Sequence, residues 1–569
     1  MSIPGFAGRS GAQRLRPARD EWLMRGLLVL LGLWLIATVA LPLWTLLSKS
    51  FQDFNGNFVG LANYARYVST PSLLASFWNS LAIALVTTAI VIPLAFIYAY
   101  ALTRSCMRWR GLFQALALIP ILAPSLLPAI ALIYLFGNQG FLKWVLFGNS
   151  IYGPLGIVIA QVFYCFPHAL MILVTALAMA DARLYEAASA LGASRVRTFL
   201  TVTLPGAKYG VISAGFVVFT LVITDFGIAK VIGGRFNVLA TDVYKQVVGQ
   251  QNFEMGAVVG MVLLVPAVLA FVADRLVQRR QVAILSARAV PLQPKPAALR
   301  DWILFGYCTL VALVLLTILG IAAWGSLIKF WPYNLSLTFA NYAFDKFDAS
   351  GWSAYFNSLE LAVLTAGIGT ALVFLGAYLM EKSRGFGLGR GVVQLLAMLP
   401  LAVPGLVLGL SYIFFFNAPS NPLGFVYGTM AILVINTISH FYTVSHLTAV
   451  TALKQLDAEF EAVGASLKVP FWTTLLRVTV PVCSPAILDI FVYLFVNAMT
   501  TVSAVIFLYS TYTKLASITV VNMDEAGFTA AAAAMSMTIV LTSAVVKLLH
   551  LALDRLLART THAWRRRSR

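Results

Sequence analysis

Twelve long apolar runs constrain the fold of this chain more than any other feature of its sequence. Each is about 20 residues or longer, which is the length an α-helix needs to cross the hydrocarbon core of a bilayer. Because a backbone in lipid must satisfy its own hydrogen bonds, the runs predict transmembrane helices. They cover residues 24–47, 75–102, 112–137, 154–178, 210–231, 256–276, 302–327, 356–380, 392–417, 427–451, 484–508 and 529–553.

Charge supports the same interpretation. Only 11% of the 569 residues are charged, against about 25% in a soluble domain. The net charge of +19 could indicate nucleic-acid binding, but with the N-terminus in the cytoplasm 31 of the 40 Lys and Arg residues lie on the cytoplasmic side and 9 on the other. Such a bias is typical of membrane topology. We therefore expect a lipid bilayer around the chain, no nucleic-acid partner, and both termini in the cytoplasm.

The ends of the chain fit this topology. The first apolar run is longer than the roughly 7–15 apolar residues of a signal peptide and no A-x-A site follows it, so it is interpreted as the first span. The terminal RRRSR, Arg565–Arg569, is expected to lie at the anionic inner leaflet.

The chain repeats itself. Asn79-Ser80-Leu81 recurs as Asn357-Ser358-Leu359, and Asp181–Pro205 matches Asp457–Pro481 at an offset of 276 residues. Each half contains six runs, an even number, so both halves enter from the same side as parallel repeats. The predicted fold is an all-α polytopic membrane protein with a basic N-terminus (1–23), a first six-helix repeat (24–278), a proline-containing cytoplasmic linker (279–301), a second repeat (302–553) and a basic tail (554–569).

Paired prolines interrupt the third and ninth runs at equivalent places. Pro120 and Pro124 match Pro400 and Pro404. Proline bends a helix and frees a carbonyl, which lipid tolerates where a neighbour or a cavity satisfies it. The pairs indicate either helices that line a central path or simple packing kinks.

A polar stretch between the fourth and fifth runs predicts a helical hairpin. Tyr185–Pro205 is small and amphipathic, and Gly192 in its middle can adopt positive φ and reverse the chain. A second short helix is expected to follow, and Pro205 to break the pattern before the next span. One helical face carries Leu184, Ala187, Ala188 and Leu191.

The stretch resembles the EAA signature of the permease subunits of ABC importers. Glu186, Ala187, Ala188 and Gly192 match it, and Pro205 closes it thirteen steps after the glycine. In that family the loop is a coupling helix that docks on a cytosolic ATPase dimer, and a periplasmic binding protein delivers a small solute. The resemblance covers nearly the whole chain. It implies the type I importer permease fold and a location in the bacterial inner membrane.

The second copy of the signature is degenerate. Ala462, Val463 and Gly464 align with Glu-Ala-Ala, Glu461 lies one step early, and Lys468 replaces the turn glycine. A lysine at positive φ costs about 1 kcal/mol, so a different turn geometry is predicted. Both loops are expected to dock, but not equivalently.

The chain lacks the motif of an ATPase. No G-x-x-x-x-G-K-[ST] sequence occurs, so the resemblance implies a separate ATPase and a transport subunit that is not itself an enzyme. The five histidines have no metal-site spacing, and neither a metal nor a cofactor is expected.

Polar residues inside apolar runs are functional candidates because they are costly in lipid. Asp225 follows the first coupling loop and aligns with Thr501, near Asn497. These three residues are predicted to belong to a substrate pathway or gate, or else to form helix-packing hydrogen bonds. Asp489 is a further ionisable residue, near the start of its span.

The sequence leaves two substrates as alternatives. Fused two-repeat permeases form a ferric iron group and a 2-aminoethylphosphonate group, and TDFGIAKVIGGRFNVLATDVYKQVVGQQNFEMGA, residues 224–257, is more similar to the phosphonate group. The alternative from another class is an ion-coupled secondary carrier, which also has two parallel six-helix halves but no ATPase.

Overall fold

The first half of the chain folds into thirteen α-helices. The computed structural model describes residues 19–282, 290, 292–383, 386–457, 459–467 and 469–561. The helices are α1 (Arg19–Leu35), α2 (Leu41–Ser50), α3 (Ala62–Ser69), α4 (Pro71–Arg104), α5 (Arg110–Leu118), α6 (Leu126–Phe136), α7 (Pro154–Ala178), α8 (Ala182–Ala190), α9 (Arg195–Thr198), α10 (Leu204–Thr224), α11 (Gly227–Ile232), α12 (Leu239–Tyr244) and α13 (Phe253–Val282).

The second half repeats this order with two short antiparallel strands, β1 (Ile328–Phe330) and β2 (Asn334–Leu337), after its first helix. Its helices are α14 (Ala298–Leu327), α15 (Gly351–Lys382), α16 (Gly387–Met398), α17 (Gly405–Phe416), α18 (Met430–Lys454), α19 (Glu459–Ser466), α20 (Phe471–Thr474), α21 (Val480–Val482), α22 (Ser484–Thr500), α23 (Ala516–Glu525) and α24 (Thr529–Thr561).

In the described part of the chain, nine helical segments are long and apolar enough to cross a membrane, and the number is twelve, as predicted, when each of three bent helix pairs counts as one span. On this count six spans, an even number, separate the α8–α9 and α19–α20 hairpins, so both hairpins lie on one face, which we call the hairpin side. The opposite face, the far side, carries α3, α11, α12, α23 and both strands.

The proline pairs produce sharp breaks, as predicted. The span of α5 and α6 bends by 99° and that of α16 and α17 by 116°. A third break, of 78° between Val482 and Ser484, was not predicted. The expected break at Pro205 is wrong, because α9 and α10 form one continuous span. A π-helical turn, Phe199–Thr203, precedes Pro205, and the missing proline N–H costs little at the start of the resumed helix.

The repeated Asn-Ser pairs make equivalent hydrogen bonds in both halves. Ser80 Oγ accepts from Leu239 N at 2.7 Å, and Ser358 Oγ accepts from Ala516 N at 2.8 Å. Leu239 and Ala516 begin α12 and α23, whose first N–H groups lack partners within the helix. These serines therefore fix a far-side helix to the second span of each half.

A second repeated tetrapeptide, ANYA, does the same at the first spans. Asn63 Nδ2 donates to the carbonyls of Ser50 and Gln52, and Asn341 Nδ2 donates to those of Ser326 and Ile328. The four distances lie between 2.7 and 3.1 Å. Sequence analysis did not single out this repeat, which ties each first span to the loop that follows it.

The first span of each half packs on the other half. The segment of α1 and α2 contacts α15, α16 and α17, while α14 contacts α4, α5 and α6. The Trp34 ring lies 5.8 Å from that of Tyr442, and Tyr307 donates to Leu94 O at 2.7 Å. The two repeats therefore interlock rather than meeting at one flat interface.

Candidate functional site

The first hairpin is a capped helix followed by a tight turn. Asp181 Oδ1 accepts from Arg183 N at 3.1 Å at the start of α8, which is a helix N-cap. Glu186 and Ala187 are exposed, and Ala188 is half-buried. Glu186 thus lies on the solvent side of a well-formed helix.

The turn after α8 has the geometry that the sequence predicts. Gly192 has φ of +69°, a conformation that side chains disfavour. Leu191 N donates to Ala187 O and Ala193 N to Ala188 O, both at 3.0 Å. The chain reverses here and enters α9.

The second hairpin repeats this backbone pattern. Leu467 N donates to Val463 O at 3.0 Å and Val469 N to Gly464 O at 2.9 Å, so the flanking bonds match those of the first turn. The predicted difference in turn geometry concerns Lys468 and stays a prediction. Lys468 lies outside the described residues, as do the side chains of Glu461 and Ala462.

Both hairpins expose the same apolar surface. Four positions, related by the offset of 276, carry large apolar side chains that are 45–87% exposed in both copies. The two halves therefore present the same exposed apolar surface, of which Val196, Leu200, Trp472 and Leu476 lie in helical segments that count as membrane spans. We call it the docking face, and its paired residues are Leu184 and Phe460, Leu191 and Leu467, Val196 and Trp472, and Leu200 and Leu476.

Segments that lead into the first spans attach to the hairpins. Ala182 N donates to Val290 O of the linker at 2.9 Å, and Val290 N returns a bond of 3.4 Å to Asp181 Oδ1. On the second hairpin, Phe471 N donates to Asp20 Oδ2 at 3.0 Å. Each hairpin is therefore joined to the entrance of the opposite half.

Asp225 ends α10 and organises the turn into α11. Its Oδ2 accepts from Gln161 Nε2 at 3.0 Å and from Ile228 N at 2.9 Å. The carboxylate borders a cavity of about 10 Å³ that Ser80 also lines, which has room for about one water molecule. Asp225 is thus held by protein groups beside a water-sized space.

Thr501 occupies the equivalent end of α22, with different chemistry. Thr501 is buried, and its carbonyl accepts from Ser517 Oγ at 2.6 Å. Asn497 Nδ2 donates within its own helix to Tyr493 O at 2.7 Å. Thr501 thus occupies in α22 the place that Asp225 has in α10, and the hydrogen bonds described for Asn497 and Thr501 are made within the second half.

Aromatic and histidine side chains lie where α7 of the first half approaches α22 of the second half. Tyr164 of α7 and Tyr493 of α22 are within electrostatic range of each other. The Phe441 ring is 6.1 Å from that of Tyr493 and 4.6 Å from that of His440. His168 Nδ1 lies 3.2 Å from Tyr164 O. Sequence analysis missed the tyrosines because aromatic residues are common in apolar spans.

A groove of about 530 Å³ opens between α18 and α22 near the hairpin side. Asp489 lines the groove and, with Tyr493 and Asn497, lies on one face of α22 because the three are spaced by four residues. His440 lies on the groove-lining face of α18. The groove is lined by Val444, Leu447, Thr448, Thr451, Ala452, Gln455, Pro485, Ala486 and Asp489.

The first half has no room for an equivalent groove. Gly210 packs so closely on α7 that a Cβ atom there would lie 2.2 Å from Ala176 Cβ. The equivalent positions in the second half are Ala486 and Ala452, which both line the groove. An alanine pair cannot approach as closely as Gly210 and Ala176, so α18 and α22 separate.

These features define a class: a two-repeat polytopic membrane protein with paired hairpins on one face and polar residues between its halves. A family model described as binding-protein-dependent transport system inner membrane component matches residues 91–282. A Haemophilus influenzae protein that carries the name of a ferric transport system permease is 30% identical over 75% of this chain and 69% of its own length. The chain belongs to this family of ABC importer permeases.

Further similar proteins carry the names of several transport systems. The ferric transport system permease protein of Actinobacillus pleuropneumoniae is 28% identical over 77% of this chain and 65% of its own length. A spermidine/putrescine permease protein of Haemophilus influenzae is 27% identical over 43% of this chain and 92% of its own length. A chain of a bacterial alginate ABC transporter aligns over 46% of this chain with a TM-score of 0.40 at 14% identity.

Proposed function

We propose that this chain transmits ATP binding and hydrolysis in a separate cytosolic ATPase dimer to the passage of a small solute across the bacterial inner membrane. In this proposal the hairpin side is cytoplasmic and the docking face of each hairpin lies in a cleft of one ATPase subunit. The observation that carries the proposal is the set of four matched, exposed apolar pairs. Leu184, Leu191, Phe460 and Leu467 lie outside the spans, and an exposed apolar surface of this kind that recurs in both copies marks a contact with a partner.

The attachments of the hairpins supply a mechanical link. Movement of a docked hairpin is passed to α10 or α22, which continue from it. Because Val290 and Asp20 join each hairpin to the entrance of the opposite half, the two halves respond together. A ligand shifts the equilibrium between two arrangements of the helices only if it binds the two arrangements differently. The ATPase dimer, which is open or closed around nucleotide, provides that difference.

The hairpins also favour this proposal over an ion-coupled secondary carrier. A carrier is expected to purify alone, whereas this chain is expected to copurify with an ATPase. If mild detergent extraction, followed by size-exclusion chromatography with mass measurement, gave only the chain and lipid, the carrier would be the better explanation.

Glu186→Arg tests the first hairpin directly. Glu186 is exposed and lies beside the docking face, so the substitution disturbs no packed residue but reverses a charge in the proposed contact. We expect uptake into proteoliposomes to fall at least about tenfold, as for loss of a charge-assisted contact, while the thermal midpoint of the chain stays within about 2 °C. Arg183→Glu, an exposed charge reversal at the start of the same helix, is the matched control. Unchanged uptake by Glu186→Arg would remove the docking role.

For the solute we propose 2-aminoethylphosphonate, on the sequence resemblance of residues 224–257. Ferric iron is the second candidate, because two relatives that match three quarters of the chain carry that name.

Uptake competition separates the two solutes. Proteoliposomes with the assembled importer and its periplasmic binding protein would be given radiolabelled 2-aminoethylphosphonate or ferric citrate. ATP-dependent uptake of the phosphonate, inhibited by excess unlabelled phosphonate but not by ferric citrate, is expected. The reverse pattern would assign iron as the solute and leave the importer function in place.

A further inference from the structure

We propose that the groove between α18 and α22 is a binding station for the cationic group of the transported solute, an inference that rests on the proposed transport function. The groove measures about 530 Å³, which lies within the range of about 300–1,000 Å³ for small-molecule sites. The lining groups of the groove, their charge and their position near the hairpin side all favour a cationic group as the occupant.

The lining combines five apolar residues with four polar ones. Asp489 presents a carboxylate that is 58% exposed, and Thr448, Thr451 and Gln455 add polar groups. Charged side chains that face hydrocarbon are strongly disfavoured and normally face a water-filled cavity. The groove is therefore part of an aqueous path that opens towards the hairpin side.

The polar groups are arranged as acceptors. Thr448 Oγ1 donates to Val444 O at 3.0 Å, and Thr451 Oγ1 donates to Leu447 O at 2.8 Å. Both hydroxyl hydrogens are thus used within α18, and only the oxygen lone pairs remain for a ligand. With the Asp489 carboxylate, these oxygens suit an ammonium group or a hard metal cation.

An internal competitor already holds the carboxylate. His550 Nε2 lies 3.1 Å from Asp489 Oδ1, and Lys547 Nζ lies 3.1 Å from His550 Nδ1. A cationic solute would replace the histidine at the carboxylate. Replacing Asp489 is therefore expected to weaken binding of the solute, whereas replacing His550 is expected to leave binding equal or to strengthen it.

The first half provides a natural reference. Ser213 stands where the second half has Asp489, and it is buried against Gln278 at 3.4 Å. Close packing of Gly210 on Ala176 leaves no groove there. The station belongs to one half only, so one solute is bound per importer.

Equilibrium binding to the permease–ATPase complex in nanodiscs, without the periplasmic protein, tests the proposal. The probes are 2-aminoethylphosphonate, ethylphosphonate, which lacks the amine, and ferric citrate. We expect either 2-aminoethylphosphonate or ferric ion to bind, one molecule per complex, and ethylphosphonate to bind at least about tenfold more weakly than its amine-bearing analogue if the phosphonate is the solute.

Four variants distinguish ligand contact from structural support. Asp489→Asn is expected to weaken binding by about tenfold, since it removes a charged hydrogen-bond partner, whereas His550→Gln removes the competitor and is expected to leave binding equal or tighter. A merely structural pair would lose stability in both variants alike. Thr451→Val should weaken binding, while Thr175→Val, at the equivalent place on α7, should not.

The outcomes are separable from those of the transport test. Absence of binding by every probe, or equal binding by Asp489→Asn, Thr451→Val and the wild type, would overturn the station. If Asp489→Asn failed to fold, Thr451→Val would carry the test. Either result leaves ATP-dependent uptake by the wild-type importer as an independent measure of the proposed function.

Discussion

Gly210 and Ala486 occupy equivalent positions in the two halves, and the difference of one methyl group accompanies a large difference in packing. At Gly210 the α7–α10 contact leaves no space for a side chain, because the Cβ position is 2.2 Å from Ala176 Cβ. Forcing a methylene into a close-packed contact separates its partners. At Ala486 the helices are already apart and a groove lies between them.

Gly210→Ala should therefore destabilise the first half. We expect the free energy of unfolding to fall by about 1–3 kcal/mol, the usual cost of overpacking, and the thermal midpoint in detergent to fall with it. Gly206→Ala, on the same helix, is the control, because no atom lies within 4 Å of its Cβ position. Equal stability of the two variants would contradict the packing argument for the groove.

Asp225 is a residue whose charge can be tested apart from its shape. Asp225→Asn keeps the size of the side chain and an acceptor oxygen for Gln161 Nε2 and Ile228 N but removes the charge, and Asn caps a helix start about as well as Asp. We expect altered uptake or basal ATPase activity in proteoliposomes, because the α10–α11 turn leads from the first hairpin to the far side. Wild-type values for both activities would leave Asp225 with a packing role only.

At the scale of single elements, the hairpins and spans could be predicted from sequence because their signals are local. Apolar length predicts a span, and a glycine between two amphipathic turns predicts the reversal seen at Gly192. The break before Ser484 has a local signal that sequence analysis did not use, because Pro481 and Pro485 repeat the four-residue spacing of the other two proline pairs. The groove has no local signal, since it depends on the distance between α18 and α22, which periodicity does not report. The break expected at Pro205 was wrong because the π-helical turn before it cannot be inferred from residue type.

The attachment of α1 to the second hairpin gives a prediction for an element. Asp20 Oδ2 accepts from Phe471 N, which supplies a partner to the first N–H of α20. Asp20→Ala should loosen the hairpin by about 1 kcal/mol, seen as faster amide hydrogen exchange over residues 471–474. Glu21→Ala, which removes a contact to Arg25 within α1 at 3.5 Å, should leave that exchange unchanged. Slow exchange in Asp20→Ala would show that the second hairpin is held by other contacts.

For the whole molecule, the way the two halves interlock must be considered together with the different contacts that they make on the hairpin side and on the far side. The first spans cross between the repeats, so the halves cannot simply part. In this structure a groove is open towards the hairpin side, while the far side is joined by an ion pair between Lys230 of α11 and Glu525 of α23. Lys230 also lies 4.6 Å from the Tyr244 ring, which stacks on Phe507 of the other half.

If ATP closes the hairpin side, weakening this far-side contact should favour the ATP-bound state. An exposed ion pair contributes about 0–1 kcal/mol, so Glu525→Gln is expected to raise basal ATPase activity of the reconstituted importer by up to about fivefold. Exchanging the charges with Lys230→Glu and Glu525→Lys together should restore the wild-type rate. Asp348→Asn, which breaks an ion pair to Lys514 within the second half only, should leave the rate unchanged. A rise in Asp348→Asn equal to that in Glu525→Gln would mean that the activity responds to far-side stability in general and not to contact between the halves.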